Sequence, residues 1–192
     1  MIDRIKNSLR KIKVYLSLSA SRKTRRKLLT FPKNERSKTA RFEEYFHFER
    51  ISKDFRLIIK ENVHFKRHCH LLMHPAAEVI IRKNVFFNNY CSLNCLEKIE
   101  IGENSILGEN VKIYDHNHQY TTSNQTLLVE RNLYQTAPVI IGNNCWIGSN
   151  VTILKGVTIG NNVIVGANSL IHKSIPANSV VRNNAEQIIS TI

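Results

Sequence analysis

Branched aliphatic residues return every six positions along much of this 192-residue chain. The clearest series is Ile141, Ile147, Ile153, Ile159, Val165 and Ile171, and an earlier one is Ile101, Leu107 and Ile113. Fainter turns of the same period run Ile59, Phe65, Leu71 and Ile81, Phe87, Leu93. Four positions after the aliphatic stands a small or branched residue, as at Ser105, Val111, Cys145, Val151, Val157, Val163, Ser169 and Ile175. Gly102, Gly108, Gly142, Gly148, Gly160 and Gly166 follow their aliphatics directly, and Asn104, Asn110, Asn144, Asn150, Asn162 and Asn168 precede the small residue. Six is neither the helical nor the strand period. It suits short strands joined by tight corners, each hexapeptide forming one side of a triangular coil with the aliphatic and the small residue both pointing inward. Asn and Gly are then expected where a corner needs positive φ. Three hexapeptides make a coil of ~18 residues, and stacked coils pair as parallel strands ~4.8 Å apart. The pattern predicts an all-β fold, a parallel β-helix over residues 59–181.

Other periods rule the ends. Ile2, Ile5, Leu9, Ile12 and Leu16 form one stripe on a helix, with Arg4, Lys6, Arg10, Lys11 and Lys13 on its other faces. Such a basic amphipathic helix suits an anionic membrane surface, or packing on the body or on a sister subunit. Residues 21–27, SRKTRRK, read as a solvated connector. Residues 41–58 are aromatic-rich, and Phe42, Tyr45, Phe46 and Phe48 are expected to cap the open end of the coil. The expected organisation is a basic arm and cap over 1–58, the β-helix over 59–181, and a tail over 182–192.

Charge sharpens this division. Of the net +13, residues 1–38 hold thirteen Lys and Arg against Asp3 and Glu35, a balance of 13 − 2 = +11, so the body carries only 13 − 11 = +2. The basicity belongs to the arm, which argues against a nucleic-acid-binding body. No apolar run approaches a membrane span, and Met1–Leu16 does not resemble a secretory signal, so a cytoplasmic location is expected, peripheral at the inner face of the membrane if the arm binds lipid.

Cys69, Cys91, Cys95 and Cys145 form no CxxC pair, and Cys69, Cys91 and Cys145 fall in the small inward slots, so reduced buried thiols and no metal are expected. His64, His68, His70 and His74 fall on outward positions, with His64 expected over His70 and His68 over His74. Stacked polar residues there could bind a metal, but a plain exposed ladder is the commoner outcome.

The clean period stops at Ile113 and resumes at Ile141. A protruding loop, about 114–138, is the expected place for chemistry, because rigid scaffolds carry function on excursions. It opens with Asp115, His116, Asn117 and His118.

The stretches IGENSILGENVKI and IIGNNCWIGSNVTILKGVTIGNNVIVGANSLIHKSIPANSVV resemble the hexapeptide-repeat acyltransferases, in particular the sugar O-acetyltransferase branch with galactoside and maltose acetyltransferases. The resemblance covers about residues 57–181 and implies a left-handed coil, a homotrimer and active sites between subunits. It implies acetyl-CoA as co-substrate, a sugar or glycan as acceptor, and His118 as the general base, with His116 two residues earlier. Imidazole suits such a base near neutral pH. Asp115 or Glu130, through a carboxylate or a backbone carbonyl, could hold the other ring nitrogen. The amide of Ser149 is the implied oxyanion donor. Trp146 is implied beside the acceptor or the pantetheine arm, Asn88 or Asn89 at the sugar hydroxyls, and Arg131 could meet an acidic sugar. Ala167 matches the small residue beside pantetheine, and His172 and Lys173 match a pair near the adenosine end. A late arginine for the nucleotide phosphate is absent, with Arg182 as a stand-in at best. The basic arm points to an acceptor in capsule, exopolysaccharide or lipopolysaccharide assembly. Three alternatives remain: a non-catalytic trimeric scaffold, a γ-class carbonic anhydrase-like zinc enzyme, and a serine-type acetyltransferase, whose large helical N-terminal domain this chain is too short to hold.

Overall fold

A computed structural model describes residues 35–183. The expected amphipathic helix, the connector and most of the tail lie outside the described residues. Within them the fold is all-β and contains no helix. Six coils of three short strands stack on one another. The first holds β1 (Glu35–Arg36), β2 (Arg41–Phe42) and β3 (His47–Arg50), and the second β4 (Arg56–Ile59), β5 (His64–Phe65) and β6 (His70–Met73). The third holds β7 (Glu78–Ile81), β8 (Phe86–Phe87) and β9 (Ser92–Cys95), and the fourth β10 (Lys98–Ile101), β11 (Ile106–Leu107) and β12 (Lys112–Tyr114). A hairpin of β13 (His116–Ser123) and β14 (Thr126–Thr136) then leaves the stack. The fifth coil holds β15 (Val139–Ile141), β16 (Trp146–Ile147) and β17 (Thr152–Ile153), the sixth β18 (Thr158–Ile159), β19 (Ile164–Val165) and β20 (Leu170–Ile171), and β21 (Val180–Val181) begins a further turn.

The coils pair in parallel as three sheets, one per side of the prism. The first sheet contains β4, β7, β10 and β15, the second β5, β8, β11 and β16, and the third β6, β9, β12 and β17. This is the β-helix the six-residue period predicts. Every aliphatic of the four series is buried, and so are the small residues four places on. Cys69, Cys91 and Cys145 fill inward slots as expected, and Cys95 joins them. Burial, and the Asp115 carboxylate beside it, push the Cys95 thiol up; burial does the same to Cys145. Cys95 and Cys145 are thus packing groups rather than nucleophiles.

The structure corrects three expectations. First, the solenoid is already present at Glu35, the first described residue, rather than beginning at residue 59. Residues 41–58 do not form a separate cap: Phe42, Phe46 and Phe48 are core residues of the first coil. Phe42 stacks on Phe65 and Phe65 on Phe87, with centroids 5.2 and 4.1 Å apart. The six-residue period continues there, with Arg36, Phe42 and Phe48 paired to Ile59, Phe65 and Leu71, but an arginine and two phenylalanines in place of branched aliphatics mask it. Tyr45 instead points outward and stacks on His68, which stacks on Tyr90.

Second, residues six apart occupy adjacent sides of the triangle and not adjacent coils. His64 therefore does not lie over His70, nor His68 over His74. His64 pairs with Arg41 and Phe86 in the second sheet, and His70 pairs with His47 and Ser92 in the third.

Third, the asparagines hold the corners as expected, Asn104, Asn110, Asn144, Asn150, Asn162 and Asn168 all having φ between 57 and 60°. The glycines of the motif do not; among the described glycines only Gly156 has positive φ. They are needed because backbone approaches backbone. A Cβ on Gly102 would lie 2.4 Å from the carbonyl carbon of Gly142, and one on Gly148 would lie 2.5 Å from the Ala167 nitrogen. Gly166, in the last complete coil, meets nothing nearer than Val181 O at 3.3 Å. Gly102→Ala and Gly148→Ala should therefore each cost about 1–3 kcal/mol of stability, as overpacking does, and Gly166→Ala clearly less. Urea unfolding of the three variants checks the order.

Candidate active site

The corner after β12 is built on Asp115, which is fully buried. Its carboxylate accepts from the Leu96 N–H at 2.9 and 3.0 Å and from the Glu97 N–H at 2.7 Å. These are amides of the preceding coil, so the chain is pinned where it leaves the stack. Oδ1 also meets His116 Nδ1 at 3.1 Å and sets the orientation of that ring.

The expected loop is a β-hairpin. Asn124 and Gln125 close it with φ of 48 and 63°, the left-handed pair that a two-residue hairpin turn requires. Its register slips near the base: His118 faces Tyr134, yet Tyr120 faces Val129. Glu130, Arg131, Asn132 and Leu133 therefore bulge opposite Gln119. The bulge turns the Glu130 carbonyl onto His118 Nδ1 at 3.0 Å. A carbonyl oxygen only accepts, so Nδ1 carries the hydrogen and Nε2 keeps its lone pair. Of the two candidates for holding the ring, the backbone of Glu130 does so, and Asp115 serves His116 instead.

Tyr134 was not singled out from the sequence. Its ring packs against His118, His116 and His74 with centroids 4.8, 5.5 and 5.6 Å away, and its hydroxyl donates to the Arg131 carbonyl at 3.1 Å. Burial and the neighbouring His116 hold His74 below the ordinary imidazole range. Nothing in the period marks Tyr134, because only the bulge brings it opposite His118.

The remaining candidates lie elsewhere. His172 and Lys173 follow β20, on the same edge of the prism as the hairpin, and help line a cavity of about 340 Å³ with Ile175, Pro176 and Val181. Asn88, Asn89, Ser149 and Ala167 lie on the next edge, after the strands of the second sheet. Asn88 Oδ1 accepts from the Asn89 N–H, and Asn89 Oδ1 from the Arg67 N–H, so both oxygens serve the corner. Trp146 stands outward on the second sheet, 57 % exposed, between Ile106 and Ile164. One chain thus brings His116, His118, Arg131 and Tyr134 together but not Trp146, Ser149 or Ala167 with them.

At several corners a side chain of the next coil accepts such an amide: Asn143 Oδ1 takes the Glu103 N–H, and Asn161 Oδ1 takes the Asn143 N–H. Ser149 Oγ takes the Glu109 N–H in the same way. Below Ser149 stands Ala167, which has no acceptor, and among the described residues no group accepts from the Ser149 N–H.

Comparison with known proteins agrees with this architecture. Residues 138–173 match the family model described as Bacterial transferase hexapeptide (six repeats). YvoF of Bacillus subtilis, named provisionally as an acetyltransferase, is 39% identical over 95 residues, covering 50% of this chain and 49% of YvoF. WbbJ of Escherichia coli K12, whose name assigns it provisionally to lipopolysaccharide biosynthesis as an O-acetyl transferase, is 34% identical over 99 residues, 49% of this chain and 50% of WbbJ. The chain thus spans about half the length of the curated relatives it matches. A variant of AntD, an N-acyltransferase from Bacillus cereus in complex with dTDP and coenzyme A, shares the fold with a TM-score of 0.62 over 86% of each chain, at 20% identity. These findings bear out the hexapeptide-repeat resemblance, and the fold is that of a hexapeptide-repeat β-helix protein.

Asp115→Ala would leave the Leu96 and Glu97 amides without an acceptor, at about 1–3 kcal/mol for each buried group. Urea unfolding should show that loss, with Asp115→Asn recovering part of it.

Proposed function

We propose that this protein is an acetyl-CoA-dependent O-acetyltransferase acting on a sugar hydroxyl in surface polysaccharide assembly. The observation that carries the reading is the His118 imidazole, with Nδ1–H held by the Glu130 carbonyl and Nε2 left free to accept a proton. In the reaction the sugar hydroxyl gives its proton to His118 Nε2 as its oxygen attacks the thioester carbonyl. The Ser149 N–H, which has no protein acceptor among the described residues, is available to donate to the oxyanion. The carbon–sulfur bond then breaks, His118 returns the proton to the leaving sulfur, and the products are the sugar ester and free coenzyme A. No acyl-enzyme is formed, which agrees with the burial of all four cysteines.

His118 and Ser149 lie on different edges of one prism, so the reading needs the edge of a second copy against the hairpin. The apolar hairpin side chains Tyr120, Leu127, Leu128, Val129 and Leu133 are exposed in the single chain and offer such a contact. A homotrimer meets the requirement with three equivalent sites. Ala167 leaves room for the pantetheine arm, and Lys173 is a point charge for a phosphate. Trp146, Asn88, Asn89 and Arg131 would meet the acceptor. The names of WbbJ and YvoF support acetyl transfer, and that of WbbJ a glycan acceptor. A γ-class zinc enzyme is less well supported: the metal-capable group among the described residues, His47, Glu49 and His70, includes neither His116 nor His118.

Thiol release from acetyl-CoA with candidate sugars tests the reading. His118→Ala should lower kcat about 10²–10⁴-fold, with little change in thermal unfolding. A variant as active as the parent removes His118 from the mechanism. Ala167→Trp should raise KM for acetyl-CoA and leave KM for the sugar unchanged. The basic arm implies binding to anionic liposomes that weakens as salt rises, and that is lost on deleting residues 1–34, which leaves the first coil intact; sedimentation with vesicles measures both.

A further inference from the structure

We propose that His47, Glu49 and His70 form a binding site for a divalent transition-metal ion of the zinc class, which clamps the first coil of the solenoid to the second. His47 and Glu49 are two apart on β3 and so project from the same face of the third sheet. His70 lies on β6, directly opposite His47 in the parallel register. Glu49 Oε2 lies 3.7 Å from His47 Nε2 and 3.5 Å from His70 Nε2, and the three ligand atoms all fall within 4.8 Å of one another. Metal–ligand bonds of about 2.0–2.2 Å in tetrahedral geometry place neighbouring ligand atoms about 3.3–3.5 Å apart. The two separations from Glu49 are therefore already close to the edges of a coordination tetrahedron, with the solvent side left for water.

A second observation points the same way. His70 Nε2 is shielded from solvent and has no hydrogen-bond partner among the described residues. A shielded polar atom normally has a partner. At 3.5 Å the Glu49 oxygen is too far for a good hydrogen bond but well placed as a co-ligand. The His47 and His70 ring centroids are 5.1 Å apart, with the planes tilted by 34°.

Donor chemistry selects the ion. Two imidazoles and one carboxylate suit Zn²⁺ and its neighbours, whereas Mg²⁺ and Ca²⁺ prefer oxygen ligands alone. Coils of a solenoid are held mainly by their neighbours, so a bond between the first two described coils adds directly to that contact. The site takes no part in acetyl transfer, and its fate is independent of that reading.

Calorimetric titration of the chelator-stripped full chain with ZnCl₂ tests the proposal, with MgCl₂ as comparison and Co²⁺ absorption to report geometry. The expected result is one Zn²⁺ per chain, no Mg²⁺ binding at the same concentrations, and a tetrahedral Co²⁺ spectrum. His47→Ala and His70→Ala should each weaken Zn²⁺ at least tenfold, Glu49→Gln should also weaken it, and the Zn²⁺-induced rise in Tm should disappear in all three. His118→Ala, in the other histidine cluster, should bind as the parent does. Circular dichroism confirms folding, and His47→Gln serves if His47→Ala misfolds. Absence of binding, binding unchanged by His47 and His70 substitution, or binding lost in His118→Ala would each overturn the proposal.

Discussion

A coil of this protein cannot bury its aliphatic residues alone. Each side is a strand of two to four residues, and its inward side chains find partners only in the coil above and the coil below. Parallel, in-register stacking is thus the constraint on which the rest depends. It demands that like positions carry like residues, so Leu57, Val79, Ile99 and Val139 form one column. It also demands that the corners approach closely, which is why glycine follows the inward aliphatic where one backbone lies against the next.

The corners repeat the same logic in polar form. Asn62, Asn84, Asn104, Asn144, Asn162 and Asn178 make an amide ladder, each donating through Nδ2 to the Oδ1 of the next at 2.8–3.2 Å. Each residue spends its left-handed conformation on the turn and its side chain on the neighbouring coil. On another corner the ladder Asn110, Asn150, Asn168 does the same work in the later coils, while Tyr45, His68 and Tyr90 replace it with stacked rings in the early ones. All three aromatic residues have φ near 60°, a conformation unusual for bulky side chains, and the stacking offsets its cost.

Function collects where this regularity is interrupted. The hairpin after Tyr114 interrupts the period but not the stack, because β12 still pairs with β17 across the excursion. Asp115 holds its base with three backbone bonds, and the bulge at Glu130–Leu133 re-aims a carbonyl that a regular hairpin would have spent on strand pairing. Rigidity below and irregularity above together give His118 a defined tautomer.

Several features were legible in the amino-acid order alone. Period six established a three-sided coil and the inward residues of its regular stretches, Ile101 to Ile113 and Ile141 to Ile175, because each is marked locally by side-chain size; it did not mark Val79, Ile99 or Val139, which also face inward. The break marked His116 and His118. The sequence did not reveal which residues meet between coils, because corner lengths vary: successive rungs of the asparagine ladder are 22, 20, 40, 18 and 16 residues apart. His47 beside His70, Tyr134 beside His118, the carbonyl of Glu130 and the unaccepted amide of Ser149 are all consequences of those separations. Local pattern decides which way a side chain points, but only the closed stack decides what it meets.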